Sequence, residues 1–232
     1  MVRIDKFLAH MGFGTRKEVR KLLKAQKVEV NGTVVKDPAY NFNEKEAIVK
    51  VKGVEITYKP FVYFMLNKPQ GYVSATIDKY YPTVVELIPF HREIFPVGRL
   101  DVDTEGLMIL TDDGKLAHHL TSPKKEVEKE YYFELDQPLE EMDFEKIKTG
   151  IRLDDGYLTK PARLLGKGGE KKGTIILTEG KYHQVKRMFQ ALGKRVVYLK
   201  RLRIGGLTLD SELLPGEYRE LTPEEIELLK KV

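Results

Sequence analysis

The chain has 232 residues, with 40 Lys and Arg against 35 Asp and Glu for a net charge of +5, and it contains no cysteine. This length allows one large domain, or a small and a medium one, with a sizeable core. The lack of cysteine excludes disulfide bonds and thiolate metal sites and fits a reducing compartment. No apolar run approaches the roughly 18–20 residues of a membrane span, so we expect a cytoplasmic protein.

The positive charge is unevenly distributed along the chain. Residues 1–58 hold 12 Lys and Arg against 7 Asp and Glu, whereas the remaining residues hold 28 of each sign. A basic domain attached to a neutral one indicates an anionic partner that the first domain binds and the second domain acts on. We therefore predict two domains, one over residues 1–58 and one over residues 59–232.

Two helices are predicted at the N-terminus. Apolar residues in the range 4–11 recur at the spacing of one helix face, and Gly12 follows as a stop. Thr15, with Glu18 three residues later, forms a capping box that opens the second helix.

The second helix carries a basic face. At about 100° per residue, six cations fall on one arc that excludes the apolar residues. They are Arg16, Lys17, Arg20, Lys21, Lys24 and Lys27. A solvated helix surface usually mixes charges of both signs, whereas like charges at this spacing repel each other. A polyanionic partner explains such a face better.

A β-hairpin is predicted next, since apolar residues flank Asn31-Gly32, a turn favoured in two-residue hairpins. Two helices followed by this hairpin resemble the small RNA-binding domain named after ribosomal protein S4. The resemblance, together with the basic face, implies a set of RNA-binding residues. They are Arg3, Lys6, Arg16, Lys17, Arg20, Lys21 and Lys24.

The second domain is expected to open with a buried strand. Tyr63–Leu66 has the apolar composition of such a strand, and the cluster Asn67–Gly71 has the composition of a turn. Lys68 lies in this cluster. It could contact phosphate, but we expect a turn lysine to be solvated.

The central stretch, residues 97–114, combines a strand with charged groups. Leu107–Leu110 is an apolar run of the length of a buried strand. Ahead of it, Arg99, Asp101 and Asp103 alternate with apolar residues, so an extended backbone would place the three charges on one face. Charges beside a core are costly unless they are paired, which leaves two interpretations open: a structural ion pair or a carboxylate used in catalysis.

This stretch also carries a resemblance. Gly98-Arg99-Leu100-Asp101-x-x-Thr104-x-Gly106-Leu107 resembles the catalytic signature of pseudouridine synthases of the RsuA and RluA type. In that signature the Asp of Arg-Leu-Asp is the indispensable side chain, which implies that Asp101 is catalytic and that Arg99 could fill the gap left by an extruded nucleotide. The segments 64–73 and 215–225 resemble the RsuA/RluB branch specifically.

Two later blocks extend the resemblance. Lys129-x-Tyr131, on a predicted strand, resembles the second family motif, whose tyrosine stacks on the target base. Residues 179–188 resemble the third motif, in which an Arg, or a Lys in some members, pairs with the catalytic aspartate. Lys186 occupies that position, at the edge of a predicted apolar helix face, and its neighbour Arg187 is the alternative.

No metal or cofactor is predicted. His118 and His119 are adjacent and point apart on either a helix or a strand, which makes a poor metal pair. The basic, glycine-rich stretch 166–173 lacks the Gly-Lys-Ser/Thr ending of a phosphate-binding loop. The isomerisation of uridine to pseudouridine, which the resemblance implies, is not an oxidation and requires no group donor.

Together, these features predict an α+β protein with an S4-like domain followed by a catalytic domain on a mostly antiparallel mixed sheet. The implied function is isomerisation of a specific uridine in small-subunit (16S) ribosomal RNA. The expected partner is ribosomal RNA or a pre-ribosomal particle, with no membrane. We expect a monomer, since the sequence has no coiled-coil heptads.

Three alternatives stay open from the sequence. A pseudouridine synthase of the sister branch would act on large-subunit (23S) ribosomal RNA. A non-catalytic ribosome-assembly factor would bind RNA and use Asp101 only as a structural ion-pair partner. A glycosidase would use Asp101 and Asp103 as its two carboxylates, but the chain has no tryptophan to serve as a sugar platform.

Overall fold

The computed structural model describes residues 1–90 and 92–231. The chain divides into two compact units. The first comprises Met1–Val62 and Pro89–Ile94, and the second comprises Tyr63–Ile88 and Phe95–Val232. Within the described residues, none of the helices has both the length and the apolar character needed to cross a membrane.

The first unit packs two helices against short strands. The helices are α1 (Ile4–His10) and α2 (Arg16–Lys24). The strands are β1 (Val2–Arg3), β2 (Val28–Val30), β3 (Thr33–Val34), β4 (Asn41–Phe42), β5 (Val49–Val51) and β6 (Val54–Ile56). Strand β1 pairs with β4, and the other four strands form a sheet in the order β3-β2-β5-β6. The apolar faces of both helices meet the sheet in a core that includes Phe7, Val19, Leu23 and Val28.

The local signals in this unit act as predicted. The Thr15 side chain accepts from the Glu18 amide at 3.4 Å, and the Glu18 carboxylate accepts from the Thr15 amide at 2.7 Å, which completes the capping box. Asn31 and Gly32 both have positive φ, as the hairpin turn requires. The expectation that Lys27 lies on the basic helix face is wrong, because α2 ends at Lys24 and the chain then turns.

The second unit is built on one large sheet. Its strands are β7 (Tyr63–Lys68), β8 (Phe95–Pro96), β9 (Glu105–Thr111), β10 (Lys129–Leu135), β11 (Arg163–Leu165), β12 (Lys172–Leu177), β13 (Val196–Ile204), β14 (Leu207–Thr208) and β15 (Tyr218–Glu220). Its α-helices are α3 (Gly114–Thr121), α4 (Glu141–Thr149), α5 (Gln184–Ala191) and α6 (Pro223–Lys230). Short 3-10 helices lie at Val84–Leu87 and Pro123–Lys125.

The sheet order is β11-β12-β10-β13-β9-β7-β15, with β14 paired to β13 and β8 paired to β9. The pair β13–β9 is parallel, and its neighbours along the sheet are antiparallel. This arrangement confirms the predicted α+β class with a mostly antiparallel mixed sheet. The central strand β9 is the predicted apolar run, and Leu107–Leu110 is fully buried.

Gly106 lets the parallel pair approach closely. Its φ is +104°, and a Cβ placed on it would lie 2.2 Å from the carbonyl oxygen of Arg201 on β13. A side chain at this position would therefore push the strands apart. Because residues 97–104 lead directly into β9, this contact also fixes where the charged stretch ends.

Candidate active site

A turn between Asp101 and Thr104 leads into β9. The Thr104 amide donates to the Asp101 carbonyl oxygen at 3.1 Å, so the backbone is not extended here. The expectation that Arg99, Asp101 and Asp103 alternate along an extended segment is therefore wrong. The turn instead brings the carboxylates of Asp101 and Asp103 to one ammonium group, that of Lys186.

Lys68, the last residue of β7, is fully buried and holds this turn. Its Nζ donates to the carbonyl oxygens of Thr104 at 2.8 Å and of Asp101 and Pro69 at 3.0 Å. Burial lowers the pKa of Lys68 to about 8, although the charge of Asp103 opposes this effect. The expectation of a solvated turn lysine is wrong, because carbonyl oxygens of the turn replace water around the ammonium group.

Lys186, on α5, lies between two carboxylates. Its Nζ is 3.0 Å from Asp101 Oδ2 and 2.5 Å from Asp103 Oδ1. Burial opposes the charge on Lys186, but the hydrogen bonds to Asp103 and Asp101 outweigh burial and raise the pKa of Lys186. Burial also opposes ionisation of Asp103, yet the bond and charge of Lys186 lower the pKa of Asp103. The Asp101 side chain stays 26% exposed, so a ligand can reach it.

His183, just before α5, contacts the second oxygen of Asp101. Its Nε2 lies 3.4 Å from Asp101 Oδ1. The backbone of His183 is left-handed, with φ 47° and ψ 35°, an uncommon conformation for a residue with a side chain. Sequence reasoning missed His183 as a site residue. The available signal was its position in the block 179–188, three residues before Lys186.

Arg187 is engaged away from Asp101. Its Nε lies 2.7 Å from Asp154 Oδ1, and its Nη2 lies 2.7 Å from Asp155 Oδ2. Arg187 was the alternative partner for Asp101. Of the two neighbouring cations, the structure brings Lys186 to that carboxylate.

Asp101 and Lys186 line a cavity of about 620 Å³. Ligand sites commonly measure about 300–1,000 Å³, so the cavity can take a nucleotide-sized molecule. The four predicted catalytic residues, Arg99, Asp101, Tyr131 and Lys186, all line it, together with His183 and Arg201. Arg99 is exposed, whereas Tyr131 is half-buried.

The sheet supplies one wall of the cavity. Tyr131 and Lys129 lie two residues apart on β10, and Arg201 on β13 is the register partner of Tyr131. Arg201 is buried, and its Nε donates to the Leu107 carbonyl oxygen at 2.8 Å. Burial, with a further contribution from the charge of Arg201, lowers the pKa of Lys129 to about 8. An aromatic ring, cations and a carboxylate that line one cavity suit a flat heterocycle attached to a sugar phosphate.

The predicted RNA-binding residues lie in the first unit. Lys6, Arg16, Lys17, Arg20, Lys21 and Lys24 are exposed. Arg3 is also exposed, but its guanidinium donates to the buried carboxylate of Asp5 through Nε at 3.1 Å and Nη2 at 2.9 Å. Over residues 1–90 and 92–231, the structure contains no group of three or more His, Asp or Glu side chains placed to hold a metal ion.

Comparison with known proteins identifies the family. The family described as RNA pseudouridylate synthase matches residues 62–191, and the S4 domain matches residues 2–48. The first match covers more than half of the chain. The chain belongs to this family. It is therefore an isomerase with an N-terminal S4 domain, as the sequence motifs predict.

Relatives match over nearly the whole chain. An uncharacterised RNA pseudouridine synthase of Bacillus subtilis is 47% identical over 99% of both chains. An uncharacterised RNA pseudouridine synthase of Aquifex aeolicus is 46% identical over 100% of this chain and 97% of the relative. The ribosomal small subunit pseudouridine synthase A of Escherichia coli K12 is 40% identical over 97% of this chain and 98% of the relative.

A solved structure supports the same assignment. The crystal structure described as a pseudouridylate synthase is 41% identical and has a TM-score of 0.69. The match covers 99% of this chain and 100% of that chain. The resemblance to RsuA-type pseudouridine synthases and the predicted enzyme class are both confirmed.

Proposed function

We propose that this protein converts a uridine of small-subunit ribosomal RNA to pseudouridine and that Asp101 is its catalytic carboxylate. Relatives named for the ribosomal small subunit, 40–43% identical over at least 97% of this chain, support the substrate. The observation that carries the role of Asp101 is its 3.0 Å contact with Lys186 on the wall of a nucleotide-sized cavity.

The reaction breaks the N1–C1′ glycosidic bond, rotates the base and joins C5 to C1′, after which C5 loses its proton and N1 gains one. It requires a carboxylate beside the sugar that stays charged while the cavity is filled. Lys186 provides the counter-ion of Asp101 through the 3.0 Å contact between its Nζ and Asp101 Oδ2, so the carboxylate is paired when RNA displaces water from the cavity. The contact of His183 with the second oxygen restricts rotation of the carboxylate group.

Two further residues act on the RNA in this proposal. Tyr131 stacks on the target base from the sheet wall of the cavity. Arg99, exposed at the cavity, fills the space in the RNA from which the nucleotide has been extruded. Extrusion costs a few kcal/mol from paired RNA and less from loops. The basic face of α2 supplies binding energy for this step through phosphate contacts.

We further propose that the enzyme acts as a monomer in the cytoplasm, on ribosomal RNA or on an assembling small subunit. The supporting observations are the S4 domain, the basic first unit and a sequence without coiled-coil heptads. Size-exclusion chromatography with light scattering checks the oligomeric state, and a dimer at working concentration would contradict this part of the proposal.

The test maps pseudouridines in both ribosomal RNAs of cells that lack the gene. We expect a small-subunit position to lose its modification and to regain it with the wild-type gene but not with Asp101→Asn. Purified Asp101→Asn should still bind the RNA segment around that uridine, because the substitution keeps the size of the side chain. Loss of a large-subunit position instead would overturn the substrate, and restoration by Asp101→Asn would overturn the role of Asp101.

A further inference from the structure

The segment 179–183, which precedes α5, is anchored at its first residue. The buried carboxylate of Glu179 accepts hydrogen bonds from Tyr157 Oη at 2.8 Å, from the Lys160 amide at 2.9 Å and from Gln184 Nε2 at 2.5 Å. These donors come from three positions along the chain. The start of the segment is therefore fixed to the body of the unit.

The end of the segment is anchored as well. The Lys181 amide donates to Gln184 Oε1 at 2.8 Å, and Arg187 Nη1 donates to the Tyr182 carbonyl oxygen at 3.3 Å. Arg187 is itself bound to Asp154 and Asp155. Backbone groups on both sides of the Tyr182 side chain are thus held in place, so the ring is presented from a rigid support.

This support presents an aromatic ring to solvent at the cavity. Tyr182 is 76% exposed, although a tyrosine ring this exposed stabilises the fold very little. One face of the ring stacks on the His183 ring, with centroids 3.8 Å apart and planes inclined by 17°. The His183 ring in turn reaches Asp101 through Nε2, and both rings line the cavity.

We propose that the exposed face of Tyr182 is a stacking platform for an unpaired nucleobase next to the target uridine. The inference rests on the proposed function, which brings RNA to Asp101. A base on this face is separated from His183 by the Tyr182 ring and is out of reach of the carboxylate, so it is a neighbour and not the reacting base. When the target nucleotide leaves its stack, a neighbouring base loses a stacking partner, and Tyr182 replaces that partner.

The charges around the platform fit an RNA strand. Lys181 precedes Tyr182 and is exposed, and the cations Lys129 and Arg99 line the same cavity. Stacking on aromatic side chains combined with cations that follow the backbone is the usual way in which proteins hold single-stranded nucleic acid. The platform therefore favours target uridines whose neighbour is unpaired or easily unpaired.

The experiment uses the full-length enzyme and an RNA segment around whichever uridine loses its modification when the gene is deleted. 2-Aminopurine replaces the base on either side of the target, and its fluorescence reports stacking. We expect Tyr182→Ala to abolish the quenching seen with wild type at one neighbour and to weaken RNA binding about ten-fold. The loss should fall on KM more than on kcat, whereas Tyr182→Trp should keep both the quenching and the affinity.

Tyr218→Ala serves as the matched control, since this partly exposed tyrosine does not line the cavity. It should bind the RNA like wild type. If Tyr182→Ala keeps the affinity and the quenching, the inference is wrong. It is also wrong if the whole loss falls on kcat, which would make Tyr182 a support for His183. Failure of the proposed function is a separate result, because the deletion strain would then lose no pseudouridine from its small-subunit ribosomal RNA.

Discussion

The two units of the protein use their cations in opposite ways. In the first unit, α2 presents Arg16, Lys17, Arg20, Lys21 and Lys24 to solvent. In the second unit, Lys186 on α5 and Lys68 on β7 instead bind particular oxygen atoms of residues 101–104. An exposed cation attracts anions over a distance that the ionic strength determines, whereas a buried cation orients the groups that it contacts. We infer that the first unit contributes affinity and the second contributes geometry.

The largest expected effect is on the reaction rate and comes from a residue of the cavity. Lys186→Met removes the charge beside Asp101 and should reduce the single-turnover rate at saturating RNA by roughly 10²–10³-fold, the usual loss for one stabilising group. RNA affinity should change by less than two-fold. Lys186→Arg, which keeps the charge, should retain part of the rate. A Lys186→Met enzyme with more than half of the wild-type rate would contradict the pairing.

The second effect is on stability. Lys68→Met leaves carbonyl oxygens of the 101–104 turn without their donor, and one such orphaned group costs about 1–3 kcal/mol. We expect the free energy of unfolding in urea to fall by about 2–3 kcal/mol. Lys167→Met, at an exposed position, is the control and should leave the unfolding midpoint unchanged. Equal midpoints for the two variants would show that Lys68 does not hold the turn.

A smaller effect is expected on RNA binding when cations of α2 are removed. Arg20→Gln combined with Lys24→Gln should weaken RNA binding about ten-fold at low salt and reduce the slope of log affinity against log salt by about 1.5, as two lost phosphate contacts require. The matched double variant Lys146→Gln with Lys148→Gln, on exposed positions of α4, should keep the wild-type slope. The first unit would lose its assigned role if both double variants behaved alike.

The smallest effect concerns Lys129, whose pKa is lowered to about 8 by burial and by Arg201. The unfolded chain keeps this proton up to a pKa near 10.4, so between about pH 8 and pH 10 it binds more protons than the folded chain. The contribution of Lys129 to the free energy of unfolding therefore rises with pH between about pH 8 and pH 10. We therefore expect the unfolding free energy of wild type minus that of Lys129→Met to increase by about 1 kcal/mol between pH 7.5 and pH 9.5. A constant difference would contradict the lowered pKa.

The local elements could be predicted because their signals are local. Residues 107–110 form a buried strand because burial removes their apolar side chains from water, and α2 begins at Arg16 because Thr15 and Glu18 form a capping box within four residues. Helix periodicity alone placed Lys186 only at the edge of an apolar face. Its pairing with Asp101 was implied by the family resemblance.

The parts that sequence reasoning missed are made by distant segments. The Nζ of Lys68 reaches carbonyl oxygens 33 to 36 residues farther along the chain. Because every residue type has a main-chain carbonyl group, the sequence does not show which of them accept these hydrogen bonds. The same bonds explain why the 101–104 turn did not follow the alternation of Arg99, Asp101 and Asp103. The Asp103 partner of Lys186 is likewise 83 residues away in sequence.

The first unit consists of two separate stretches of the chain, which limits how the protein can be truncated. After Val62 the polypeptide enters the second unit, returns to the first at Pro89–Ile94, and leaves again. In the returning segment Ile94 is 3% exposed, and Arg92 donates to the carbonyl oxygens of Lys59 and Pro60 at 3.2 and 3.0 Å. A single truncation therefore cannot release either unit intact, and during synthesis the first unit is completed only after residues 63–88 have been made.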